Sequence, residues 1–180
     1  VLLLSSIPAS AGVDRFIPDH LKIQYAGNIG FLSAGTGFSF FNDRLEADVF
    51  YGYVPEKIGG KDIHMITQKN TFSPFYISLG NSYRLYPLTA GFFINYAIGR
   101  NYVLNWPSHY PDNYYHPTAC YTGEFIGVRL KKREDHGSID AFEIYVEIVT
   151  LTPYLYECAV NDCIRLRDIT GLAIGSSVHF

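Results

Sequence analysis

Several small groups of side chains in this 180-residue chain have types and spacings that could do chemistry. Ser177 and His179, in the stretch GLAIGSSVHF, stand two apart, so on a strand they share a face. A Ser-x-His pair is the start of a nucleophile with its general base, although no carboxylate lies near it in sequence to orient the ring. Asp62 and His64 form a second titratable pair of the same spacing; its plainer reading is a rim histidine that is hydrogen-bonded or in water. Ser108 and His109 are adjacent and would point apart on a strand. Cys158 and Cys163 flank AVND, and opposite each other on an antiparallel hairpin their Cα atoms would be ~4.5–5.5 Å apart, which suits a disulfide. So small a loop gains little chain entropy, so the benefit would be a stiffened outer hairpin. Cys120 is left free or competes for either partner. A metal site is not expected, because the cysteine pair lacks a second ligand pair and His109 and His116 have no recognisable metal spacing. No cofactor is expected.

The elements that must carry these residues read as strands. In FLSAGTGFSFF, Leu32, Ala34, Thr36, Phe38 and Phe40 alternate with Ser33, Gly35, Gly37 and Ser39. LEADVFYGY sets Leu45, Ala47, Val49, Tyr51 and Tyr53 against Glu46 and Asp48. YPLTAGFFINYAIG sets Tyr86, Leu88, Ala90, Phe92, Ile94, Tyr96 and Ile98 against Thr89, Gly91, Phe93 and Asn95. TGEFIGVRLKK gives Ile126, Val128 and Leu130 against Arg129 and Lys131, and AFEIYVEIV gives Phe142, Ile144, Val146 and Ile148 against Glu143, Tyr145 and Glu147. Such a period of two means strands with unlike faces. Residues 20–28 are a short first strand with Lys22 and Gln24 on one side, and 62–78 is a strand of poor phase.

Composition separates the function classes. Charged residues make up 17% and hydrophobic ones 48%, and the formal net charge is −3, so there is no basic stripe for nucleic acid. Disorder is excluded by the apolar content. Apolar runs fall short of the ~18 residues of a membrane-spanning helix, which leaves strands as the only way across a bilayer. A soluble sheet would bury the apolar face and expose much glycine and serine. A membrane barrel inverts this, turning the apolar face to lipid and the small and charged face to the lumen. Glu46, Asp48, Glu143 and Glu147 would then meet Arg129, Lys131 and Lys22, since buried charges persist only when paired. The alternative is that these are solvated charges on a soluble sheet.

The connections fit the inverted reading. NDR (42–44), GNSYR (80–84) and REDHGS (133–138) are short and polar, and they alternate with PEKIGGKD and the long RNYVLNWPSHYPDNYYHPTAC. The fold class predicted is all-β: a closed antiparallel up-and-down transmembrane β-barrel of about eight strands, with short periplasmic turns and longer extracellular loops. The strands expected are about 20–28, 30–41, 45–54, 62–78, 84–99, 118–132, 138–157 and 164–180. Residues 21–41 could instead be one long strand. Residues 1–11, ending in the small-x-small Ala9-Ser10-Ala11, read as the remnant of an export signal or as an apolar tail, which leaves 12–180 as a single barrel domain.

The last strand, with Leu172, Ile174, Val178 and the terminal Phe180, resembles the signal by which outer-membrane proteins engage their assembly machinery. With the strand pattern, residues 20–180 resemble the small eight-stranded outer-membrane barrels of Gram-negative bacteria, the class of the OmpA and OmpX types and the lipid A-modifying barrels. QYAGNIGFLSAGTGFSFFNDRLEADVFYGYVPEKIGG and HMITQKNTFSPF are similar to an uncharacterised barrel family of Bacteroidetes. The resemblance implies the bacterial outer membrane, contact with its lipids and lipopolysaccharide, and a structural role or a place as a subunit of a larger envelope complex. Loop 99–118, with Trp106 and several Tyr, His and Pro, is either a protein-contact surface or part of an interfacial aromatic girdle. Acyl hydrolysis or acyl transfer on lipid A is the second reading, although the His-x-Ser pair of the barrel deacylases is absent. A soluble lipocalin-type carrier is a further alternative; it would need an apolar interior, and the usual Gly-x-Trp near its start is missing.

Overall fold

A computed structural model of the chain describes residues 17–99, 102, 119–134, 137–160 and 165–180. The expected signal remnant, nearly all of loop 99–118 and Cys163 lie outside these. Among the described residues nine strands form in chain order: β1 (His20–Ala26), β2 (Leu32–Phe40), β3 (Leu45–Val54), β4 (Ile63–Phe72), β5 (Ile77–Leu79), β6 (Tyr83–Ile98), β7 (Cys120–Arg133), β8 (Ala141–Leu151) and β9 (Thr170–His179). The described residues also form three short helices: α1 (Glu56–Gly59), α2 (Thr152–Val160) and α3 (Leu166–Ile169).

Every neighbouring pair is antiparallel, in the order β4-β3-β2-β1-β9-β8-β7-β6, and β6 pairs back onto β4 from His64↔Ile98 to Phe72↔Ala90. The sheet is thus a closed eight-stranded up-and-down barrel with no free edge in its wall. β5 stands outside the ring as a short hairpin partner to the start of β6. Both described ends of the chain lie with the connections 41–44 and 73–82, the end of β7 and the start of β8; the opposite end carries 27–31, α1, the end of β6, the start of β7, α2 and α3.

The side chains sort by face. Leu21, Ile23, Val49, Ile66, Ile94, Ile126, Ile144, Val146, Ile148, Leu172 and Ile174 all stand exposed on the outside. Exposed rings flank this aliphatic belt: Tyr25, Tyr51, Tyr53 and Tyr96 towards the loop end, Phe40, Phe72, Tyr83, Phe142 and Phe180 towards the turn end. Inside, the loop-end half is filled by Ile29, Phe50, Phe93, Phe125, Val149 and Ala173, and the turn-end half by charge. Glycines make the space: a Cβ on Gly175 would lie 2.2 Å from Tyr145 Cζ, and one on Gly123 2.3 Å from Phe93 Cζ.

Several boundaries correct the sequence-based expectation. The strand expected over 62–78 ends at Phe72, because Pro74 has no N–H for the ladder; β5 is a separate element. The strand expected over 138–157 stops at Leu151, where Thr152-Pro153 open α2, with proline suited to a helix's first turn. The last strand starts at Thr170 rather than 164. Tyr86 is fully buried, not outward: a bulge at Pro87-Leu88 sets two residues opposite Val128 and reverses the phase below Thr89. Residues 21–41 form two strands, and the connection between them bends inward on left-handed Gly27 and Asn28, so that Ile29 plugs the barrel mouth.

Candidate functional site

The chemistry of this molecule is concentrated inside the barrel. Lys22 on β1 places Nζ 2.6 Å from Glu46 Oε2 and 2.9 Å from Asp48 Oδ2, both on β3. Arg129 on β7 also bonds Glu46, and lies 3.5 Å from Glu143 Oε2 on β8. One level nearer the loops, Lys69 on β4 reaches Glu147 on β8 at 2.6 and 2.8 Å and the Gln24 carbonyl at 3.0 Å, with the Phe125 ring centroid 4.4 Å away. Tyr145 donates its hydroxyl to the same Gln24 carbonyl at 3.1 Å. Four buried carboxylates therefore face the buried cations Lys22, Lys69, Arg129 and Lys131. The gap left among them is about 10 Å³, roughly the room of one water.

At the turn end, His20 is enclosed between Asp19 Oδ1 and Asp48 Oδ1, each 2.5 Å from a ring nitrogen. The β2–β3 turn folds in from below. Phe41, Asn42 and Asp43 hold φ between 56° and 63°, a left-handed run costing roughly 1 kcal/mol or more per residue. It is pinned through Asp43: Lys131 Nζ lies 3.1 Å and Arg84 3.6 Å from the carboxylate, and Arg129 bonds the Asp43 carbonyl. Burial pushes the Asp43 carboxyl up, but the Lys131 ammonium outweighs this and holds it below the usual carboxylate range. A polar cavity of about 430 Å³ opens below, lined by Asp19, Asn42, Asp43, Arg84, Lys131 and His179 among others.

The structure joins Ser177 and His179 and adds the carboxylate that sequence spacing did not supply. Ser177 Oγ is 3.1 Å from His179 Nε2 and 3.4 Å from Glu143 Oε1. The polarity of this chain runs against nucleophilic catalysis. Lys131 Nζ, which can only donate, lies 3.2 Å from His179 Nδ1. Nδ1 must therefore accept, the ring proton sits on Nε2, and Nε2–H donates to Ser177, whose own proton points to Glu143. A histidine that donates to the serine is not the base that would activate it. All three side chains are buried.

Asp62 and His64 do not bond each other. Asp62 accepts from the Tyr53 hydroxyl at 2.6 Å and the Glu56 N–H at 2.9 Å, which hold its carboxyl below the usual range, while His64 Nδ1 meets the Tyr51 hydroxyl at 2.6 Å. Lys131 pairs with Asp43 rather than with the strand glutamates. Cys158 lies on α2, not on a hairpin strand, so the geometry assumed for a Cys158–Cys163 disulfide does not apply at Cys158, and Cys163 is outside the described residues. Cys120 opens β7. Leu172, Ile174, Val178 and Phe180 line up outward along the last strand, and Phe180 N–H donates to the Asp19 carbonyl at 3.0 Å.

Sequence reasoning missed Lys69, His20, Asp43, Arg84 and the Gln24–Tyr145 bond. Lys69 was legible in principle: Met65, Thr67, Lys69 and Thr71 alternate with Ile66 and Phe72, but outward Gln68 and Asn70 hide the phase. Asp43 could not be found by periodicity, since it lies in a turn.

Fold and interior together define a class: a closed eight-stranded barrel with an apolar outer wall and a sealed, charge-packed lumen. Comparison with family models, curated proteins and solved structures finds no match for the chain.

Proposed function

We propose that this chain is an integral outer-membrane barrel, acting structurally or as a subunit of a larger outer-membrane complex in a Gram-negative bacterium. One observation carries the reading: every strand of the barrel turns a largely apolar face outward, while paired charges are buried within. In water that arrangement exposes a continuous hydrophobic surface far beyond the usual patch on a soluble monomer. In lipid it is the expected polarity. A group of exposed aromatic side chains at each end brackets the aliphatic belt, and strands of ten residues at ~3.3 Å each, tilted ~40°, give an apolar band ~25 Å tall. Outer-membrane lipids and lipopolysaccharide are then its immediate surroundings, the outward residues of β9 with Phe180 serve the barrel-assembly machinery, and loop 99–118 is the candidate surface for a protein partner.

The soluble-carrier alternative has less support, because the lumen is filled and holds charge where a lipid carrier needs an apolar cavity. The lipid A-modifying alternative has less support because His179 donates to Ser177. The test is extraction and gel mobility of the expressed protein. Release only by detergent, with a folded form that migrates differently after boiling, is the expected result. A protein that is recovered folded in buffer without detergent would overturn the reading.

A further inference from the structure

The outer wall of the barrel is not uniform. On β7, β8, β9 and β1 it presents Val128, Ile144, Val146, Ile174 and Ile23, interrupted by the small Ser176 in the floor of an apolar groove of about 480 Å³. On the opposite side, midway along β4, two amides face outward. Gln68 stands between Val49 and Ile94, and Asn70 between Ala47 and Phe92. Asn70 Nδ2 donates to Gln68 Oε1 at 3.0 Å. The neighbouring outward hydroxyl, Thr36, is satisfied within the wall by the His20 carbonyl at 2.8 Å.

The amide pair is not satisfied within the wall. A side-chain amide offers two N–H donors and a carbonyl with two lone pairs. The internal bond leaves both Gln68 N–H groups, the second Asn70 N–H and the Asn70 carbonyl without a further partner among the described residues. Exchanging the O and N assignments of both amides leaves the same kind of remainder, two N–H groups on one residue and one N–H with the carbonyl on the other. Facing hydrocarbon, such groups are costly to leave unmade, and between membrane-embedded segments they act as association points.

We propose that this patch packs against the same patch on a second copy of the chain, side by side in the membrane about a two-fold axis along the bilayer normal. The inference rests on the outer-membrane reading above. The remainder of donors and acceptor is self-complementary: Gln68 of each copy donates to the Asn70 carbonyl of the other, as an isologous contact requires. Ala47, beside Asn70, is small enough to let the two walls approach. Among the described residues the opposite wall has no comparable amide pair, and it is left to lipid.

The test is the full chain folded into phosphatidylcholine vesicles, with its oligomeric state counted by single-molecule photobleaching over a range of protein-to-lipid ratios. Dimers should form as the ratio rises, weaken roughly tenfold in Gln68→Leu combined with Asn70→Leu, and be unchanged in Ser176→Leu on the other wall. Ala47→Leu, which blocks close approach without touching the amides, should weaken them as well and serves if the double variant does not fold. A monomer at every ratio, or dimers indifferent to both the β4 double variant and Ala47→Leu on β3, would overturn the proposal. Protein that fails to float with the vesicles would instead overturn the membrane reading, and that result is seen before any dimer is counted.

Discussion

Lys69 and Glu147, 78 positions apart and on strands that are not neighbours in the sheet, meet across the barrel interior at 2.6 and 2.8 Å. Removing one partner leaves the other charge buried, which typically costs about 3–5 kcal/mol, whereas removing both with apolar replacements of similar size is far milder. Lys69→Met should therefore lower the urea midpoint of the folded barrel strongly, and Lys69→Met with Glu147→Met should recover most of the loss. Equal destabilisation by the single and double variants would mean the pair is not coupled.

Ile144 stands 61% exposed on the outer face of β8. If hydrocarbon surrounds it, Ile144→Lys costs about 2–4 kcal/mol. On a water-facing surface the same change would fall within about 0.5 kcal/mol of neutral. Unfolding measured in vesicles separates the two, and a neutral result would count against the membrane setting.

Asp43 gives the turn end a pH dependence. Its folded pKa lies below that of the unfolded chain, so its contribution is fully present above the unfolded value of about 4 and is lost as pH falls through the folded one. The stability gap between the protein and Asp43→Asn should be constant above about pH 5 and shrink under more acid conditions. A gap that widened as the pH fell would contradict the Lys131–Asp43 pairing.

For Ser177 and His179 the hydrogen-bond direction predicts a neutral His179 ring with its proton on Nε2, readable from the ring ¹⁵N shifts. Ser177→Ala should leave the mass profile of lipid A unchanged in cells expressing the protein. A profile altered by the protein and restored by Ser177→Ala or His64→Ala would establish acyl chemistry instead.

Much of the wall is legible in the sequence. The pleat alternates side chains between faces, so Glu46, Asp48, Glu143 and Glu147 had to share the side opposite Val49 and Ile144, whatever the strands did next. The alternation broke where local chemistry intervened: Pro87 admitted a bulge that turned Tyr86 inward, and Gln68 and Asn70 concealed the phase of β4 and with it Lys69.

The sequence by itself determined that the chain is a run of antiparallel crossings and, except in β4 and around the bulge at Pro87, which residues lie on which face of each strand, because these follow from neighbours along the chain. Only the tertiary structure decided that β6 closes onto β4, that Lys69 finds Glu147, that Asp43 and Ile29 bend in to fill the two mouths, and that His179 donates to Ser177. Those outcomes depend on the tilt and stagger of a closed barrel, which bring together across the lumen residues that no local pattern relates.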